Sequence, residues 1–175
     1  MLTSMCKDSL ILSGPALPDA KNSENTHDIV KKLLDQQYDI KISNQDICVT
    51  HRLGPLRAGP NKKNIYVKFV RRDLKKEVIK RSREKKQSKN LYANESLTPV
   101  RMKIFRTLRN MRKRQPALVK GCTTLEGKIF AFTPPAAGGA RDQRHLIKDM
   151  KDLHDFCRDY VKQPLDDFLN DFASA

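Results

Sequence analysis

Apolar residues recur along this chain at two periods, two residues and three to four, and the alternation between them spells out a series of strands and helices. Residues 9–13 (SLILS) read as a buried strand stopped by Gly14 and Pro15, after which Thr26 caps a helix with Ile29, Val30, Leu33, Leu34 and Tyr38 at helical spacing. Residues 46–52 (DICVTHR) predict a second strand. Residues 53–63 hold two Gly, two Pro and three basic residues, which predicts a mobile loop. In residues 64–70, Ile65, Val67 and Phe69 alternate with Asn64, Tyr66 and Lys68, so one face enters a core and the other presents an amide, a ring and an ammonium. Asp73 then caps a helix with Leu74, Val78 and Ile79 inward and Lys75, Lys76, Lys80, Arg81 and Arg83 mostly outward. Residues 90–93 supply a short last strand.

The second half opens on Thr98 and Pro99, a cap followed by a first-turn proline. Val100, Ile104, Leu108 and Met111 fall in one narrow arc of the ensuing helix, while Lys103, Arg106, Arg109 and Lys113 lie on the far side. Pro116 stops the helix, and residues 118–122 and 128–132 predict a hairpin around Leu125, Glu126 and Gly127. Residues 136–140 (AAGGA) read as a flexible joint. Asp149 caps a terminal helix with Met150, Leu153, Cys157, Tyr160 and Val161 on one face and Phe156 at its edge. The order of elements is βαββαβ followed by helix, hairpin and helix. It predicts an α+β protein of two lobes, the first a ferredoxin-like antiparallel sheet with two helices on one face (residues 8–94), the second a small α+β domain (95–163), and then a tail (164–175).

Charge changes the picture more than composition does. The 175 residues carry a net charge of +15, yet residues 51–114 alone hold 22 Lys and Arg against four Asp and Glu, a net of +18. The rest of the chain is therefore slightly acidic. A cationic excess confined to one stretch and interleaved with apolar residues predicts a folded surface that grips a polyanion, nucleic acid first among them. With 38% apolar residues and a mean hydropathy of −0.65, the chain can bury one ordinary core or two small ones. No apolar run near the start is long enough for a signal peptide or a membrane span, which predicts a soluble intracellular protein. Cys6, Cys48, Cys122 and Cys157 stand tens of residues apart without zinc-finger spacing, so reduced thiols are expected and neither a metal site nor a disulfide framework. His51 has no acidic motif beside it and reads as a strand-end residue, not a base. The four carboxylates of the basic segment, Asp73, Glu77, Glu84 and Glu95, do not have the clustering that a metal-dependent nuclease needs. No catalytic residue and no cofactor is expected.

Two blocks carry a resemblance. Residues 47–83, with Thr50-His51-Arg52, the strand Lys63-Asn64-Ile65-Tyr66-Val67-Lys68-Phe69 and the helix end Ser82-Arg83-Glu84-Lys85, resemble the RNA-recognition-motif domain of LINE retrotransposon first-open-reading-frame proteins. The run Leu91-Tyr92-Ala93-Asn94-Glu95-Ser96-Leu97-Thr98-Pro99, the basic helix and Gly127-Lys128-Ile129-Phe130 are similar to the C-terminal domain of that family and of the related baculovirus few-polyhedra proteins. The resemblance spans residues 8–160. It implies a protein that coats its own transcript in a cytoplasmic ribonucleoprotein, with the nucleus as a second compartment, and that acts as a nucleic acid chaperone without catalysis. It also implies that Arg52 and Arg83 contact the RNA backbone and that Tyr66 occupies a base-stacking position. Ile11 and Asn64 stand where typical RNA-recognition motifs place further rings, so stacking on the sheet is expected to be thin. Relatives form trimers through an upstream coiled coil. This chain holds none, and homo-oligomers are expected only where such a segment lies outside it.

The expected partners are RNA and single-stranded DNA, with no membrane. The expected contacts are Arg52, Lys62, Lys63, Tyr66, Lys68, Arg71, Arg72, Arg81 and Arg83 in the first lobe and Lys103, Arg106, Arg109 and Lys113 in the second, lining a basic cleft. The alternative is a protein-interaction adaptor, or a few-polyhedra-like structural protein, working through the acidic terminal helix and the hairpin.

Overall fold

The computed structural model describes residues 8–54, 62–84 and 90–169. Most of the expected 53–63 loop, together with Cys6, Lys85 and the end of the tail, lies outside the described residues. The chain is a mixed α+β protein of two compact units, Met1–Ser96 and Leu97–Ala175, each with one antiparallel sheet.

In the first unit, strand β1 (Ser9–Ser13) buries Leu10 and Leu12 completely, as the SLILS pattern requires. Gly14 follows at φ +123°, where a Cβ would stand 2.6 Å from the Asn90 carbonyl oxygen, so only glycine fits this turn. Helix α1 (Thr26–Tyr38) is capped one residue earlier than its sequence suggests. The Asn25 side chain accepts the His27 and Asp28 amides, while Thr26 Oγ1 turns away to donate to the Thr50 carbonyl at 3.1 Å. A single 3₁₀ turn (Asn44–Asp46) absorbs Asp46, leaving strand β2 as Ile47–Arg52.

Strand β3 (Ile65–Phe69) alternates as its sequence predicts, with Ile65, Val67 and Phe69 buried. Helix α2 (Arg72–Glu84) takes Asp73 into its first turn and does not use it as a preceding cap. Strand β4 spans Tyr92–Glu95, two residues later than the expected 90–93. Strand order is β2-β3-β1-β4, all neighbours antiparallel. Val30, Leu33 and Leu34 of α1 and Leu74 and Val78 of α2 share one core with Leu10, Leu12, Ile65 and Val67, so both helices cover the same face of the sheet.

Lys75, expected outward, is buried here. Its Nζ meets Glu95 Oε1 at 3.0 Å, with the two side chains 3% and 4% exposed. This pairing explains the shift of β4, because a glutamate reads as the end of a strand until a cation waits for it inside.

In the second unit, Thr98 Oγ1 accepts the Arg101 amide and Pro99 opens helix α3 (Pro99–Arg114). Ile104, Thr107, Leu108 and Met111 are buried, but Val100, expected with them, is 56% exposed at the first turn. Strands β5 (Gly121–Leu125) and β6 (Lys128–Thr133) form the hairpin, closed by Glu126 and Gly127 at φ +52° and +75°, as a two-residue turn of this twist demands. A third strand, β7 (Gln143–Ile147), pairs antiparallel with β6. The 136–140 segment therefore lies in the connection between two paired strands.

Helix α4 (Met150–Phe156), capped by Asp149, continues into a π turn (Cys157–Val161) that ends at Lys162 in the left-handed region. The extra residue per turn rotates the positions that follow it, and Tyr160, expected on the inner face, is 38% exposed, while Phe156, expected at the edge of that face, is buried. The expected tail begins inside this domain. Phe168 of the short helix α5 (Asp166–Leu169) is fully buried, and Asn110 and Arg114 donate to the carbonyls of Phe168 and Asp167 at 3.2 and 2.6 Å. Among the described residues no helix is long and apolar enough to cross a membrane.

Candidate nucleic-acid interface

Among the described residues no helix covers the second face of the first unit's sheet, and register decides what stands there, with Ser9 fully buried at its edge. Side chains paired across strands share a face, so Ile11 and Tyr66, Ser9 and Lys68, and His51 and Tyr66 are neighbours on the outward side, with Asn94 beside Ile11 and Tyr92 beside Ser13. Tyr66 is held from two sides. Its hydroxyl bonds the Ser9 hydroxyl at 2.7 Å, and its ring stacks on His51 at 4.9 Å between centroids with 30° between planes. No carboxylate occupies an outward position of β1 to β4. The result is a small platform of two stacked rings, a third ring at Tyr92 and one ammonium, suited to bases and phosphate together.

Two of these rings, His51 and Tyr92, are absent from the sequence-derived site. The period of β2 puts His51 on the same side as Val49, but its meeting with Tyr66 depends on which strands pair and in what register. Ile11 and Asn64, by contrast, supply no ring, as the sequence indicates.

Arg52 is placed differently from its expected role. Period two puts it opposite Ile65 on the helix-covered side, and its side chain is only 6% exposed. Nε and Nη2 bond the two Glu24 carboxylate oxygens at 2.7 and 3.0 Å, Nη1 bonds the Lys63 carbonyl at 2.7 Å, and Nη2 also reaches the Pro18 carbonyl at 3.0 Å. A guanidinium with four of its five N–H donors so engaged ties the Pro18, Glu24 and Lys63 segments to the end of β2. Arg52 hydrogen bonding holds the Glu24 carboxyl below its ordinary range, against the smaller opposing effect of burial.

The other expected first-unit cations stand on different elements. Lys62 and Lys63 hold the carbonyls of Pro15 and Gly54 at 2.6 and 3.3 Å. Arg71 lies 3.5 Å from Asp46 and Arg72 3.1 Å from Asp8, both exposed. Arg81 is half-buried and Arg83 exposed in the last turn of α2.

The second unit presents its cations on one helix. Helix α3 carries seven Lys and Arg and no Asp or Glu. Arg101 donates to the Gly127 carbonyl and Arg114 to that of Asp167, so the ends of the row brace the fold. Lys103, Arg106, Arg109 and Lys113 are all exposed, and none forms an ion pair among the described residues. Cys122 lies near this helix. Burial pushes its thiol up to about 11 despite the opposing fields of Arg109 and Arg112. His145 is held below its ordinary value by burial, among Phe156, Tyr160 and the Thr133 hydroxyl.

Neither protein-family models nor curated proteins contain a match to this chain.

Proposed function

We propose that this protein is a sequence-tolerant binder of RNA and single-stranded DNA that acts as a nucleic acid chaperone in a retrotransposon-type ribonucleoprotein. Its first unit is read as a ferredoxin-like domain of RNA-recognition-motif type, and its second as an α+β domain that grips phosphate. The observation that carries the reading is the α3 surface, where four exposed cations stand on one helix without a carboxylate partner among the described residues. Holding such a row costs self-repulsion that a bound polyanion relieves. The order β2-β3-β1-β4, with both helices on one face and rings on the other, supports the assignment of the first unit. The retrotransposon setting rests on the resemblance of the two sequence blocks.

Mechanism follows from the balance of contacts. Cations outnumber outward rings, so affinity comes mainly from phosphate and tolerates many sequences. Weak, screened holding of strands lowers the repulsion between them, which lets mismatched duplexes melt and better ones form without a chemical step. The reading is non-catalytic. Three of the four carboxylates in the basic segment lie against cations one by one, Asp73 near Arg71, Glu84 near Lys80 and Glu95 on Lys75, which supports that reading.

The test is a titration of single-stranded RNA, single-stranded DNA and duplex DNA at several salt concentrations. With six or more phosphates neutralised, single-strand affinity falls by roughly 300-fold or more between about 50 and 200 mM salt. A nearly flat response overturns the proposal.

A further inference from the structure

We infer that the outward face of the second sheet is a separate stacking surface for single-stranded nucleic acid, with Phe130 and Phe132 as its rings. The inference rests on the nucleic-acid reading above and assigns to the second unit a base-contacting surface distinct from the α3 cations.

Strand β6 is central in its sheet, and its burial alternates strictly. Ile129, Ala131 and Thr133 are buried toward α3 and α4, so Phe130 and Phe132 point to the opposite side. That side is open. Leu125 and Leu146, on the outward positions of the flanking strands, are 51% and 38% exposed. Two rings at positions i and i+2 of one strand stand about 7 Å apart, room for two successive bases splayed from a single strand, one on each ring.

Charge decides between a nucleic acid and a protein as the occupant. The outward positions of β5, β6 and β7 include two cations, Lys128 and Arg144, and no carboxylate. The nearest acids in sequence, Glu126 and Asp142, belong to the connecting segments. The Arg144 guanidinium lies 4.7 Å from the Phe130 ring centroid. A flat cation parked on a ring already makes the contact that a base would make, and it can exchange that contact for a phosphate when a base takes the ring. Gly121, opposite Phe132 in the register, has no side chain to cover that ring.

The chain contains no tryptophan, so Phe132→Trp introduces a single fluorophore at the proposed site. The probe is a single-stranded oligothymidylate, titrated at low salt into the full-length variant, with binding followed separately by anisotropy of a labelled strand. The expected result is quenching that saturates together with the anisotropy. The companion variant, Phe130→Leu with Phe132→Leu, keeps the apolar surface and removes the ring faces. It is expected to bind the oligothymidylate at least tenfold more weakly, as the loss of one to two stacked bases implies, and duplex DNA within about threefold of wild type.

Unquenched fluorescence at saturating strand, with the leucine variant binding within twofold of wild type, overturns the inference and leaves the proposed function standing. Failure of the wild-type chain to bind any single strand overturns both. Self-association that the leucine variant retains, with unchanged strand affinity, marks the face as a protein contact and also overturns the inference.

Discussion

Arg52 and Glu24 form a two-pronged ion pair across 28 residues of chain, Nε to Oε1 at 2.7 Å and Nη2 to Oε2 at 3.0 Å. The pair fixes the start of α1 against the end of β2, and the same guanidinium clamps the Lys63 carbonyl at the entry to β3. Its position at the strand end is the one where the sequence resemblance places an RNA contact. The geometry makes it a scaffold residue instead. Arg52→Ala is expected to destabilise the first unit by about 3 kcal/mol, because it leaves Glu24 and two carbonyls without their donor. Strand affinity per folded molecule should stay within about twofold of wild type. Denaturant unfolding and a titration on the same preparation separate the two effects.

The pair also makes stability depend on pH. Arg52 lowers the folded-state value of Glu24, so the unfolded chain binds the proton more readily. The contribution is fully present above the unfolded carboxyl value of about 4.3 and disappears as pH falls through the lower folded value. Glu24→Gln lacks this component. The stability gap between wild type and Glu24→Gln is therefore expected to be widest near neutrality and to close on acidification below about pH 4. A gap that is constant from pH 6 to pH 3 contradicts the assignment.

Lys75 and Glu95 link α2 to the last strand in the same way, but in a drier place. Lys75→Ala is expected to cost about 3 kcal/mol by stranding a buried carboxylate, whereas Lys75→Met with Glu95→Leu together should come within about 1 kcal/mol of wild type. Denaturation of the single and double variants completes the cycle. The pair also fixes where the first unit can be cut. A fragment ending at Asn94 loses Glu95 and should unfold more readily than one ending at Ser96, the boundary of the compact unit.

Sequence periodicity made the strands and helices legible wherever apolar residues alone face the core. β1, β3 and α1 and the inner arc of α3 follow directly from Leu10 and Leu12, Ile65 to Phe69, Val30 to Tyr38, and Ile104 to Met111. It failed where a polar group faces inward. β7 carries Gln143 and His145 on its inner side and exposed Leu146 on its outer side, so its hydrophobic alternation runs backwards. Lys75 and Glu95 hide a helix face and a strand end for the same reason. Phe168 was lost because a single ring in an acidic tail has no periodic partner, although it fills the core beneath α3. Of the candidate site, the α3 arc was readable because it is local to one helix. The stack of His51 on Tyr66 was not, since it joins two strands whose register no local pattern contains.

That stack gives a prediction of its own. Tyr66→Phe removes the bond to Ser9 and keeps the ring, while Tyr66→Ala removes both. Base stacking is worth about 1 to 3 kcal/mol per base, so Tyr66→Ala should weaken single-strand binding by roughly tenfold and Tyr66→Phe by less than about threefold. If the phenylalanine variant binds as poorly as the alanine variant, the hydroxyl and not the ring is what matters. His51→Ala is expected to fall between the two, because it removes the platform beneath the ring without removing the ring.

The sharpest test of the second unit reverses part of its cationic row. Arg106→Glu with Arg109→Glu changes the α3 surface by four charge units and leaves Ile104, Leu108 and Met111 to hold the helix on its sheet. Circular dichroism and the unfolding midpoint should be close to wild type, since both arginines are exposed and without ion-pair partners among the described residues. Binding is a different matter. Each lost phosphate contact on a single strand removes about 0.7 from the slope of log affinity against log salt, so the double variant should show a slope shallower by about 1.4. The affinity deficit is then largest at low salt and narrows as salt rises, which no loss of folding would imitate. Strand annealing should decline in step with binding. A variant that binds weakly at every salt concentration with an unchanged slope has lost something other than phosphate contacts, and α3 would no longer be the surface that holds the strand.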